Sequence, residues 1–226
     1  MINSQCKKSE FSVFKAINAD KGVYEIRWGY EPVIERVTKL NEKTGEYEFT
    51  GETKETSFCT YAVERFYTKP NTYAMDKLFD KSTKYPSMAE MKTIAEGLEI
   101  EEHQMVTWMK ERLKKNIISY DSSSNVNIFT IGGVKVWLDK STRVGLLLRF
   151  QSEQAEGKTE TTLWYNGMSF PLPIEQAIQM LYAIEGYASA CYDHTQEMLA
   201  AVDAMTTVSE LLAFVYAGTY PAMLEF

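Results

Sequence analysis

From residue 23 the chain alternates. Tyr24, Ile26 and Trp28 fall on one face of an extended strand, with Glu25 and Arg27 on the other. Two more runs, residues 33–40 and 46–50, flank Asn41-Glu42-Lys43-Thr44-Gly45. A loop of that length with a glycine at its end predicts a hairpin. A third run, aromatic and β-branched, covers residues 57–68 and stops at Pro70. Residues 1–70 are therefore expected to form a β-rich body, a sandwich or a meander. Trp28, Tyr30, Tyr47, Phe49, Phe58, Tyr61, Phe66 and Tyr67 are expected to fill its core rather than to stack on bases.

Residues 71–85 are polar and read as a linker between two bodies. Residues 86–116 read as a helical hairpin. Ser87-Met88-Ala89-Glu90 is a capping box that starts its first helix, with Met88, Met91, Ile94, Ala95 and Leu98 at helical spacing and Gly97 as the break. A second helix over residues 101–115 aligns Met105, Trp108, Met109 and Leu113. Lys110, Arg112, Lys114 and Lys115 gather at its C-terminal end, where the helix dipole favours cations.

Residues 117–226 read as an α+β body of two β-hairpins with three helices. Residues 125–130 and 134–138 flank Gly132-Gly133, and residues 159–165 and 168–172 flank Asn166-Gly167; both are hairpin signals. Between them a helix capped by Asp139, Ser141 or Thr142 carries Val144, Leu147, Leu148 and Phe150 on its apolar face and ends near Gly157. Pro173 opens a long helix to about Ala204, with a stripe of Ile174, Ala177, Ile178, Leu181, Ile184, Ala188, Cys191, Leu199 and Val202. Gly186, one turn from Ala183 and Ala190, predicts a close approach by another element. A second capping box, Thr207-Val208-Ser209-Glu210, opens a last helix expected to close at Gly218. Pro221 keeps that helix from restarting, so the tail must run extended. Tyr220, Met223, Leu224 and Phe226 are large apolar residues to leave in water. They call for a groove, either on this chain's own C-terminal body or on a neighbouring subunit.

Charge sharpens the contrast between the halves. Residues 1–115 carry 19 basic and 19 acidic side chains; residues 116–226 carry 5 and 12, which gives the whole net charge of −7. After Lys158 there are eight carboxylates and no lysine or arginine. Such a stretch repels nucleic acid. It serves either as a solvated face or as a surface for a basic partner or a neighbouring copy. Cys6, Cys59 and Cys191 are far apart in sequence and odd in number, which argues for reduced thiols. The first eight residues lack the apolar core of a secretion signal, and no apolar run approaches the roughly 18 residues that span a bilayer. A chain made in the cytoplasm, with no membrane partner, is the expectation.

Candidate chemistry is sparse. The sequence has no glycine-rich phosphate loop, no G-x-S-x-G elbow and no metal-spaced Cys/His set. Cys191 with His194 is the nearest approach to a ligand pair, but Cys191 lies on the apolar stripe and reads as a core thiol. No catalytic, cofactor-binding or metal residue is assigned, and no enzyme activity is expected. The segment from Ser87 to Lys115 has the outline of a helix-turn-helix. Thr93 and His103 stand where that motif wants a small and a buried apolar residue, and the pI near 5.1 lacks its basic footprint.

Residues 117–226 resemble a bacteriophage family of domains of unknown function found in or beside tail and tail-fibre genes. The resemblance is carried by the strand at 126–130, then Gly132-Gly133-Val134-Lys135-Val136-Trp137-Leu138 and Arg143, then Leu163-Trp164-Tyr165-Asn166-Gly167. Tyr187-Ala188, the stretch from Ala201 to Leu211 and the close Tyr220-Pro221-Ala222-Met223-Leu224-Glu225-Phe226 complete it. The N-terminal half is similar in character to β-rich modules that accompany this domain in gut-phage proteins. The family has no established catalytic residues. The resemblance implies a virion structural protein associated with tail, collar or fibre. Its partners would be other phage structural proteins and copies of itself. A transient tail-fibre assembly factor or chaperone is the alternative, and a host-directed DNA-binding regulator a third.

Overall fold

The structure, a computed structural model, describes residues 2–41 and 47–226. The fold is α+β. It divides into two compact units, one comprising the chain as far as Leu113 together with Thr206–Ala213, the other Lys114–Met205 with Phe214–Phe226.

The first unit is built on one antiparallel sheet of β1 (Ile2–Lys7), β2 (Phe14–Asn18), β3 (Val23–Leu40) and β4 (Tyr47–Phe66), in the order β1-β4-β3-β2. Three consecutive strands thus form a meander, and β1 adds to the outer edge of β4; no second sheet makes a sandwich among the described residues. The separate runs expected at 23–28, 33–40, 46–50 and 57–68 fuse into two strands of 18 and 20 residues. Gly29 and Gly51, with φ of +64° and +87°, look like breaks in sequence but act as irregularities inside continuous strands.

Helices α1 (Thr72–Asp80), α2 (Met88–Gly97) and α3 (Glu102–Asp121) follow. The expected linker at 71–85 is therefore largely a helix. Asn71 caps it by accepting from the Ala74 N–H at 2.9 Å, and Met75 and Phe79 are fully buried. Its two anchors one turn apart among charged residues make it read as polar. Phe79 meets Trp28 edge-on at 5.3 Å and stacks on Trp108 at 6.2 Å. The Trp28 indole N–H donates to the Lys84 carbonyl at 3.0 Å. The capping box at Ser87 is formed, with Glu90 reaching back to its backbone. Helix α3 runs past Lys115 to Asp121, so the basic cluster is not at a helix end. Arg112 is fully buried over the Phe79 ring, bonded to Asp76 at 2.7 Å and Asp80 at 3.0 Å.

The second unit holds the hairpins β5 (Phe129–Ile131) with β6 (Val134–Val136) and β7 (Glu160–Tyr165) with β8 (Met168–Pro173), and the helices α4 (Lys140–Ala155) and α5 (Ile174–Ala204). Both turns use left-handed pairs: Gly132 and Gly133 at +54° and +80°, Asn166 and Gly167 at +47° and +79°. Phe129, Val136, Phe150, Leu163, Ile178 and Leu181 are among its core residues. On α4 the inward face is Arg143, Leu147 and Phe150, while Val144 and Leu148 point outward, contrary to the sequence pattern. Arg143 takes the inward position because its guanidinium is satisfied there. It donates to the Leu138 carbonyl at 2.7 Å and to Glu185 at 2.7 and 2.9 Å, and lies over the Trp137 ring.

The last helix, α6 (Val208–Ala213), opens with the expected box between Thr207 and Glu210 but ends well before Gly218, and it belongs to the first unit. The C-terminal body therefore keeps two of its three expected helices plus the end of α3, and the boundary falls at 113/114 rather than in a linker.

Candidate interaction surface

The main departure of the first unit from an ordinary small sheet is the length of β3 and β4. β2 covers β3 only along residues 23–26, and β1 covers β4 only along residues 58–63. Beyond these limits, among the described residues, β3 and β4 pair only with each other, through Ile34↔Glu55, Glu35↔Lys54, Arg36↔Thr53, Thr38↔Phe49, Lys39↔Glu48 and Leu40↔Tyr47. At about 3.3 Å per residue, residues 34–40 form a ribbon of roughly 20 Å. The predicted loop at 41–45 falls mostly outside the described residues.

Directly opposed residues share a face, so Ile34, Arg36, Thr38 and Leu40 lie with Tyr47, Phe49, Thr53 and Glu55. Ile34, Leu40, Tyr47 and Phe49 are 51%, 44%, 73% and 50% exposed, and Arg36 lies over the Phe49 ring at 5.3 Å. The other face sets Glu35 opposite Lys54 and Lys39 opposite Glu48. This corrects the expectation that the N-terminal aromatics fill a core. Trp28 and Tyr61 are buried, but Tyr30, Tyr47, Phe49, Phe58 and Tyr67 are exposed. A ribbon of two paired strands is marginal in water on its own, and its apolar face is a surface that a partner would cover.

The C-terminal residues singled out in sequence sit in the second unit. The Thr130 N–H donates to the Leu224 carbonyl at 3.0 Å, the Phe226 N–H to the Thr130 carbonyl at 2.9 Å, and the Gly132 N–H to the Phe226 carbonyl at 2.9 Å. The tail thus lies along β5 as a short parallel strand. Leu224 packs against the core, Tyr220 is half-buried, and Phe226 meets Phe129 edge-on at 5.9 Å, while Met223 and Phe226 keep 37% and 43% exposure. The groove is on the chain's own body. Gly186 is different: a Cβ there would meet nothing within 4 Å, and it lies on the exposed side of α5 with Ala183 and Ala190. The expected close approach is not made, because helical spacing of small residues does not say which way they face.

The densest chemistry lies around the start of this tail. Tyr220 shares a hydrogen bond with Thr195 at 2.9 Å, Thr195 donates to Asp121 at 3.0 Å, and His194 Nε2 lies 2.9 Å from Thr219 Oγ1. That last pair has the distance of a base and a nucleophile. The Thr219 hydroxyl, however, is also placed to donate to the Tyr216 carbonyl at 2.8 Å and to the Met198 sulfur at 3.7 Å, so its single proton has acceptors other than His194. Burial raises the Cys191 thiol above its ordinary value and likewise the phenols of Tyr187 and Tyr220. Tyr187 is held by donating to the Val126 carbonyl at 2.8 Å. The cluster pins the tail to α5. In the first unit, Cys6 and Cys59, separated by 53 residues, stand directly opposite across β1 and β4 with sulfurs 3.8 Å apart. Sequence spacing hid that pair. Among the described residues no group of three or more His, Cys, Asp or Glu could hold a metal ion, and no helix is long and apolar enough to cross a membrane.

Compared with known proteins, the chain matches no family model, no curated protein and no solved structure.

Proposed function

We propose that this protein is a bacteriophage virion component associated with tail, collar or fibre, which attaches other structural proteins and acts in several copies without chemistry of its own. One observation carries the attachment half of this reading: the two-stranded arm of β3 and β4 exposes Ile34, Leu40, Tyr47 and Phe49 on one face. The phage half rests on the resemblance of residues 117–226. There the Gly132-Gly133 turn, Arg143 and the Tyr220 to Phe226 close belong to one packed framework. On this reading the second unit is a rigid body and the arm is the grip.

Mass spectrometry of gradient-purified particles, from an infection in which the chain is made, tests the proposal. The chain is expected in the particle fraction in several copies. Its recovery only from the soluble lysate would reject a virion role and leave a transient assembly factor.

A further inference from the structure

We infer that the arm also pairs with a second copy of this chain, edge to edge along β3 about a two-fold axis at Val37, which leaves its apolar face free for the attachment proposed above. This deepens the attachment role proposed above and rests on it for its biological meaning. The outer edge of β3 has no strand beside it past residue 26 among the described residues, and the Glu90 carboxylate takes the Tyr30 N–H. From residue 34 to 40 this edge has no positive-φ residue. The outer edge of β4 is different: the mismatch between Phe49 and Thr53 lies on that strand, with Gly51 at φ +87°, and such a bulge blunts an edge. The regular, open edge belongs to β3.

The sequence of that edge is complementary to itself when reversed. With the axis at Val37, Glu35 stands opposite the partner's Lys39, Ile34 opposite the partner's Leu40, and Arg36 opposite the partner's Thr38. An antiparallel pair places each of these on the same face. The charges then extend across four strands. Lys54 and Glu35 are already opposed within one chain, as are Lys39 and Glu48. Each charged row would read Lys54, Glu35, the partner's Lys39, the partner's Glu48, with the signs alternating throughout. On the other face Tyr47, Leu40 and the partner's Ile34 join into an apolar row that ends on the partner's Glu55. Moving the axis to Arg36 sets Glu35 against Val37 and Lys39 against Val33. Moving it to Thr38 sets Arg36 against Leu40. Of these three registers the Val37 one sets Glu35 against Lys39 and Ile34 against Leu40, and pairing of this kind fixes register.

Sedimentation velocity on the full chain tests this with two variants. Glu35→Lys, made together with Lys54→Glu to keep the pair within the chain, places two lysines face to face in both rows of a homodimer, and Lys39→Glu, made together with Glu48→Lys, places two glutamates there. Each variant alone should self-associate at least about tenfold more weakly than the native chain. An equimolar mixture of the two should dimerise again, because every row then pairs lysine with glutamate. A native chain that stays monomeric at about 100 µM overturns the inference. So does a mixture that remains monomeric, or a single variant that dimerises like the native chain. Val37→Cys gives an answer that does not depend on those charges. On the axis it should form a covalent dimer under mild oxidation that the native chain does not form, and no such dimer overturns the register. Absence from particles would reject the virion role and leave the dimer standing; a monomer in solution would do the reverse.

Discussion

Two glycines sit in helices with opposite surroundings, and alanine at each should move stability in opposite directions. Gly97 closes α2, where a Cβ would lie 2.5 Å from Cδ1 and Cγ of Phe14 and 2.7 Å from Cδ2. Carbon atoms rest at about 3.5–4.0 Å, so the ring would have to retreat by roughly 1 Å. Because Cγ lies close to the backbone of β2, the strand must move with it. Overpacking of this kind costs about 1–3 kcal/mol, against a helix-propensity gain of at most about 1 kcal/mol. Gly97→Ala should therefore lose roughly 0.5–2 kcal/mol net. Gly186 lies mid-helix on α5 with open space where its Cβ would be, so Gly186→Ala should gain about 0.5–1 kcal/mol. Urea unfolding of both variants gives the signs. In a Phe14→Ala background the Gly97→Ala penalty should vanish, since the coupling belongs to that contact. If Gly97→Ala stabilises the chain as much as Gly186→Ala does, β2 does not press on α2 and the reasoning is refuted.

Other features give expectations of their own. Glu25 is held below the usual carboxylate range by hydrogen bonds from Arg65 first and then Arg27. Glu25→Gln should thus cost about 1–2 kcal/mol at neutral pH, and the difference should shrink as pH falls below about 4 through that lowered value. A difference in melting unchanged at pH 2.5–3, roughly one and a half units below the ordinary glutamate value, would contradict it. Oxidised glutathione should convert Cys6 and Cys59 to a disulfide, the two thiols giving up two electrons and two protons and the oxidant leaving as two reduced thiols. Burial raises the Cys59 thiol, so attack should begin at the more accessible Cys6. Peptide mapping that links Cys191 to either of them would count against the register of β1 on β4. Deleting residues 219–226 removes the strand on β5 and the Tyr220 and Leu224 contacts, and should lower stability by about 2–4 kcal/mol. An unchanged melting curve would mean that the tail is not held there.

Where sequence foretold the structure, a local signal decided the outcome. The capping boxes at Ser87 and Thr207, the Asn166-Gly167 turn and the α5 stripe depend on residues within a few positions of one another, and each forms. The α+β class follows from them. Where reading and structure part, the deciding contact is distant. Met75 and Phe79 look isolated until Trp28 and Trp108 come to meet them. Arg112 reads as a helix-end cation until Asp76 and Asp80 draw it inward. Gly29 and Gly51 resemble turns because a bulge and a turn use the same residue. The arm was illegible for a related reason: Tyr47 and Phe49 alternate just as core residues do, and only the short reach of β1 and β2 leaves them uncovered.

The arm's apolar face as the point of attachment is the central claim, and one variant tests it directly. Replacing Tyr47 and Phe49 together by glutamate changes side chains that are 73% and 50% exposed in the free chain. The protein should fold and melt much as before, since exposed positions outside a core shift stability by about 0.5 kcal/mol or less each. Supplied during infection in place of the native chain, the variant should be missing from purified particles by quantitative mass spectrometry. Incorporation at the native level would contradict the account.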